Sequence, residues 1–195
     1  MKAYRKQRID NIIKFFAIEH FQKTSKNLTQ TQLWKYLAFF DTRMLKKTGV
    51  PSLGLEYVAW EHGPVPFKLR DALLNGTYTI PDIKIDIQKG SGQKKYMTIV
   101  PGRKTDFDLD YFSDNEIEEM FVLIEIFADR FVKASDMSEA SHQDIVSWRR
   151  AWKRREGRES APMDLSEEFP GNIRKKESPS LEEENYLAYE ALQQA

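Results

Sequence analysis

The chain has 195 residues, 41% of them apolar, with 30 basic and 30 acidic side chains that cancel and no cysteine. That length supports one well-filled core plus an appendage, and the missing thiols exclude a disulfide framework, a thiol nucleophile and thiolate zinc sites, which fits a reducing compartment such as the cytoplasm. No apolar run approaches the roughly 18–20 residues that cross a bilayer, and the opening MKAYRKQRIDNIIKFF is too charged for a secretory signal, so a soluble protein without a membrane partner is expected.

Ile9, Ile12, Ile13, Phe16 and His20 recur at helical spacing, so the pattern predicts an amphipathic helix over residues 5–22. Thr29 and Gln32 form a T-x-x-Q capping box that opens a second helix. Its apolar face carries Leu33, Trp34, Leu37, Phe40 and Met44, and it should run to about Lys47. Gly49, Pro51 and Gly54 then break the chain before a strand-like Leu55–Trp60.

The stretch YVAWEHGPVP, residues 57–66, sets that strand against two prolines, which fix φ and donate no backbone hydrogen bond, so the strand should stop at a rigid corner. Gly63 permits the turn, Pro64 and Pro66 stiffen it, and a third helix should leave from Pro66 to Asn75 with Gly76 as its glycine cap. Glu61 and His62 at this corner suit either a buried hydrogen bond to the His142–Trp148 segment or a surface contact.

Ile83, Ile85 and Ile87 alternate with polar residues, and after Lys89-Gly90-Ser91-Gly92 the alternation resumes at Tyr96–Val100, the pattern of a β-hairpin. Leu55–Trp60 is expected to add its third strand. Ser113 and Glu116 form a second capping box ahead of Ile117, Met120, Phe121, Ile124, Phe127 and Phe131, the clearest amphipathic pattern and the expected core helix. Short helices at Asp136–Ser141 and from Trp148 to about Arg155 complete a body of residues 1–155. The fold class is therefore mainly α with a small antiparallel β-hairpin or three-stranded sheet.

Residues 156–195 read as a charged linker followed by a C-terminal helix. Beyond Gly157 the composition shifts to Pro, Glu, Ser and Lys, and Ser180 and Glu183 then give a third capping box before LEEENYLAYEAL. Counting Lys and Arg against Asp and Glu, residues 1–155 carry +6 and residues 156–195 carry −6. A tail that folds back or meets a basic partner is one reading of this asymmetry, and a solvated acidic extension is the other.

No residues assemble a recognisable catalytic, cofactor or metal site, so a non-enzymatic protein is expected. Ser141 and His142 are neighbours whose side chains diverge on a helix, no G-x-S-x-G elbow is present, and the histidines at 20, 62 and 142 lack metal-ligand spacing. Gly90-Ser91-Gly92 lies between strands without the helix and lysine of a phosphate loop. Arg149, Arg150, Lys153 and Arg154, with Arg158, line one side of a helix beside Trp148 and Trp152. They form a basic contact candidate, although the chain lacks the positive excess of a nucleic-acid binder.

The segments TQLWKYLAFFD, YVAWEHGPVPFKLRDAL and DMSEASHQDIVSWRRAW resemble, in order and spacing, the Panacea domain, also called the SocA-like or phage GepA-like antitoxin domain, over roughly residues 8–155. Its central signature is matched by Tyr57 and by Trp60, Glu61, His62, Gly63, Pro64 and Val65, and its later one by His142 and Trp148. The Thr-His pair common in the family is replaced here, and residues 156–195 fall outside the resemblance. The resemblance implies an antitoxin that binds and neutralises a cognate protein toxin encoded beside it in bacteria or their phages. It also implies one alternative, an adaptor that delivers a toxin to a cytosolic AAA+ protease; the basic helix suggests another, a DNA-binding regulator of its operon.

Overall fold

The computed structural model describes residues 3–90 and 95–194. The helices are α1 (Ala3–Thr24), α2 (Gln30–Thr48), α3 (Phe67–Leu74), α4 (Asp114–Phe127), α5 (Ala134–Asp144), α6 (Val146–Lys153) and α7 (Leu181–Gln194). The strands are β1 (Leu28–Thr29), β2 (Tyr57–Trp60), β3 (Gly63–Pro66), β4 (Ile83–Lys89), β5 (Lys95–Pro101) and β6 (Ala161–Pro162). Among the described residues they form two three-stranded antiparallel sheets, ordered β1-β5-β4 and β3-β2-β6, which makes a helix-dominated α+β fold. No described helix is long and apolar enough to cross a membrane.

α2 is the central element. Thr29 and Gln32 make both bonds of the capping box, and Gly49, at φ 82°, closes the other end with its N–H on the Leu45 carbonyl. Between these caps every residue from Gln32 to Thr42 is buried, so α2 is surrounded on all sides and not merely along one stripe. α1 lays Ile9, Ile12, Ile13 and Phe16 against it, with the Phe16 and Tyr36 rings stacked at 4.5 Å.

Four expectations change. The expected core helix, α4, contributes Met120, Leu123, Ile124 and Phe127 to the core, but Phe121 is exposed, and the helix ends before Phe131, which stands 73% exposed. The third strand of the β4–β5 hairpin is β1, pairing Leu28 with Ile99, and β2 belongs to the other sheet. The Ser91-Gly92 part of the expected hairpin turn lies outside the described residues.

Gly63–Pro66, expected to be a corner, is itself a strand, and the reversal is made by Glu61 and His62. The prolines do not prevent this because β3 is an edge and they occupy alternate positions, opposite Ala59 and Tyr57. Gly63 and Val65 lie between and keep their N–H groups for β2.

Within residues 156–180, where composition reads as a linker, the chain makes β6 on the outer edge of β2, pairing Ala161 with Ala59. Two 3₁₀ turns follow, at Leu165–Glu168 and Ile173–Lys175. Phe169 and Ile173 then join Tyr186 of α7 around Leu45 in a second small core. The Ser180–Glu183 box caps α7, whose Asn185 donates to the Thr48 carbonyl at 3.0 Å. The tail therefore covers the C-terminal end of α2.

Candidate functional site at the signature hairpin

The β2–β3 hairpin positions most of the residues singled out from the sequence. Glu61 and His62, its two turn residues, are both exposed. Positive φ falls on neither of them but on Gly63, at 101°. A Cβ on Gly63 would lie 2.5 Å from Ser141 Oγ and 2.6 Å from Lys35 Nζ, so this glycine is demanded by space as well as by backbone.

Lys35 and Ser141 are themselves buried beneath the hairpin. The Lys35 ammonium donates to the Pro64 carbonyl at 3.4 Å, and removal from water pushes its pKa down to about 7. Ser141 Oγ donates to the Ser138 carbonyl at 2.7 Å and not to His142, so no serine–histidine nucleophile exists here.

The second signature segment closes onto the first. The His142 ring lies flat on Trp148 at 3.9 Å and 6°, Trp148 lies over Trp152 at 5.9 Å, and the Arg155 guanidinium lies over the Trp152 ring at 3.7 Å. The Trp148 indole N–H donates to the Trp60 carbonyl at 3.0 Å and the His142 ring meets the Glu61 backbone, so the two signatures are joined through the hairpin backbone and not through the Glu61 or His62 side chains. Burial and the neighbouring Lys35 charge hold His142 below its ordinary pKa.

Tyr57 points the other way. Its hydroxyl donates to Asp41 Oδ2 at 2.9 Å, and Asp41 also accepts the backbone N–H groups of Leu53 at 2.6 Å and Leu55 at 3.3 Å. One buried carboxylate thus ties the loop entering β2 to α2. Desolvation still wins over these bonds and raises the Asp41 pKa to about 6. Lys35 and Asp41 were not singled out from sequence. The available signal was a charged residue at positions where the flanking aromatic and aliphatic residues leave α2 no polar face.

The basic residues divide. Arg154 makes a two-pronged pair with Glu167 of the tail at 2.6 and 2.9 Å, and Arg149 donates to the Gln143 carbonyl. Arg150 and Lys153 are exposed and make no ion pair among the described residues. No cluster of three or more potential metal-ligating residues occurs among the described residues.

The model of the family described as "Antitoxin SocA-like, Panacea domain" matches residues 33–149, more than half of the chain. That span holds α2, the β2–β3 hairpin and the His142–Trp148 stack, and stops before the tail. Comparison with curated proteins and with solved structures returns no match. The chain is thus a member of the SocA-like, Panacea-domain antitoxin family.

Proposed function

We propose that this protein neutralises a cognate protein toxin in the cytoplasm by direct contact, without catalysis, and that the tip of the β2–β3 hairpin is part of the contact surface. The observation that carries this reading is the mismatch between the tip and its support. The Glu61 and His62 side chains are exposed and make no hydrogen bond or ion pair among the described residues, while Gly63, Lys35, Ser141 and the Trp148–Trp60 bond brace the strands behind them. Local bracing of this kind lowers the ordering cost of binding, which favours a recognition loop over a solvated turn. Trp60, half-buried with the Arg70 guanidinium 4.7 Å from its ring, extends the same surface with an aromatic–arginine pair, the residue types that dominate protein interfaces.

Co-purification with the product of the adjacent reading frame tests the reading. Glu61→Ala and His62→Ala should weaken toxin capture and protection of cells while leaving the melting temperature unchanged, because neither side chain is buried. Full capture by the double variant would remove the hairpin tip from the interface. Failure of any neighbouring product to co-purify would count against direct neutralisation itself.

A further inference from the structure

β4 forms one edge of its sheet, with no strand on its outer side among the described residues. Two hydrogen bonds establish which of its groups face outward. The Gly102 N–H donates to the Asp82 carbonyl at 3.0 Å, while the Met97 N–H donates to Gln30 Oε1 at 3.3 Å, away from β4. Antiparallel ladders alternate residue by residue, and the register pairs Ile83 with Pro101, Ile85 with Ile99 and Ile87 with Met97. Even-numbered residues therefore bond across β4–β5, and Ile83, Ile85 and Ile87 direct their backbone groups outward. The Ile83 N–H is taken by the Ile80 carbonyl at 3.2 Å. The N–H groups of Ile85 and Ile87 and the carbonyls of all three isoleucines face the open edge.

We propose that this edge pairs antiparallel with the same edge of a second copy of the chain, about a two-fold axis at Ile85, joining two three-stranded sheets into one. Three features select that occupant and register. An axis at Ile85 sets Ile85 against itself and Ile83 against Ile87 of the second copy, so every free N–H meets a free carbonyl. The same axis sets Lys84 opposite Asp86 of the second copy, twice, at the non-hydrogen-bonded positions where side chains come closest. An axis at Ile87 sets Asp86 opposite Gln88 and loses these charge pairs, and an axis at Ile83 sets Lys84 opposite Asp82, which precedes the strand at φ 62° and so lies outside the ladder. Within one chain Lys84 and Asp86 already hold each other at 3.2 Å, so their charged ends share one face of the strand and are placed to exchange partners. Finally, Ile83 and Ile85 pack on the core while Ile87 is 41% exposed, and pairing covers it with Ile83 of the second copy. Charges on an edge strand oppose pairing unless the partner strand answers them, and the axis at Ile85 is the one that sets each Lys84 against an Asp86 within both strands.

Sedimentation equilibrium of the full chain, at concentrations up to the order of 100 μM, should give twice the 22.9 kDa chain mass, since paired edges of this size associate weakly. Lys84→Asp and Asp86→Lys should each weaken association about tenfold or more, because each sets like charges across the axis, and the double exchange should restore it. The chain has no cysteine, so Ile85→Cys supplies a single thiol facing its own copy at a separation that a disulfide spans. Mild oxidation should then yield a covalent dimer. A wild-type monomer, a dimer indifferent to both charge reversals, or an Ile85→Cys variant that does not cross-link would overturn the proposal.

Discussion

Replacing Gly63 with alanine should destabilise the whole fold. Two costs act together. The residue sits at φ 101°, where an L side chain is strained by about 1–3 kcal/mol. The added methyl would also stand 2.6 Å from Lys35 Nζ, 2.9 Å from Lys35 Cε and 2.5 Å from Ser141 Oγ, all beneath a buried strand, and overpacking of this kind costs a further ~1–3 kcal/mol. Together these predict a loss of about 4 kcal/mol, which for a chain of this length lowers the melting temperature by about 8–16 °C. Thermal denaturation followed by circular dichroism measures the shift. A Lys35→Ala background isolates part of the packing cost: it removes the contacts with Lys35 Nζ and Cε but leaves the Ser141 Oγ contact and the backbone strain, so Gly63→Ala should cost less there by about 1 kcal/mol. A Gly63→Ala protein that melts with the wild type would refute both the packing and the backbone assignment.

Lys35 should leave a signature in pH. Its folded pKa of about 7 lies below its ordinary 10.5, so between those values the unfolded chain binds the extra proton and stability rises with pH. Lys35→Met should therefore be stabilising near pH 7, by a margin that shrinks toward pH 10, as urea unfolding at several pH values would show; a constant margin would contradict it. Trp148→Phe keeps a ring beside His142 but removes the indole N–H bond to the Trp60 carbonyl, which retains the Gly63 N–H across the hairpin, and should cost about 0.5–1.5 kcal/mol in chemical denaturation. Truncation after Arg155 removes the buried Ala161, Phe169, Ile173 and Tyr186 and bares Leu45. It should lower the melting temperature by more than about 10 °C, and an unchanged value would make the tail a passive extension.

The features legible in the sequence are those written locally. Thr29 with Gln32, Ser113 with Glu116 and Ser180 with Glu183 each announce a helix start within four residues, and all three make the expected bonds. Alternation likewise reveals β4 and β5. What was not legible depends on partners distant in the chain. β2 borrows its third strand from Ala161, about a hundred residues away, and no local pattern distinguishes that pairing from one with the β4–β5 hairpin. Two prolines in four residues read as a strand stop unless the strand is known to be an edge. For Lys35 and Asp41 the apolar residues around them in α2 signal burial, but not which distant elements close over them. At the candidate site, the spacing of Tyr57 to Val65 and of His142 to Trp148 was visible, but that they meet through Trp148 and Trp60 was not.

The β6 strand gives the family-matched body an order of assembly. Until residues 161–162 leave the ribosome, the outer edge of β2 at Val58 and Ala59 has no strand beside it, and Leu45 lacks Phe169, Ile173 and Tyr186. All residues of the signature hairpin and of the His142–Trp148 stack have by then been made. During synthesis the signature hairpin is thus complete before the strand that clasps it. A nascent chain can hold the hairpin in shape while its β2 edge stays open, and the edge closes before Phe169, Ile173 and Tyr186 can cover Leu45.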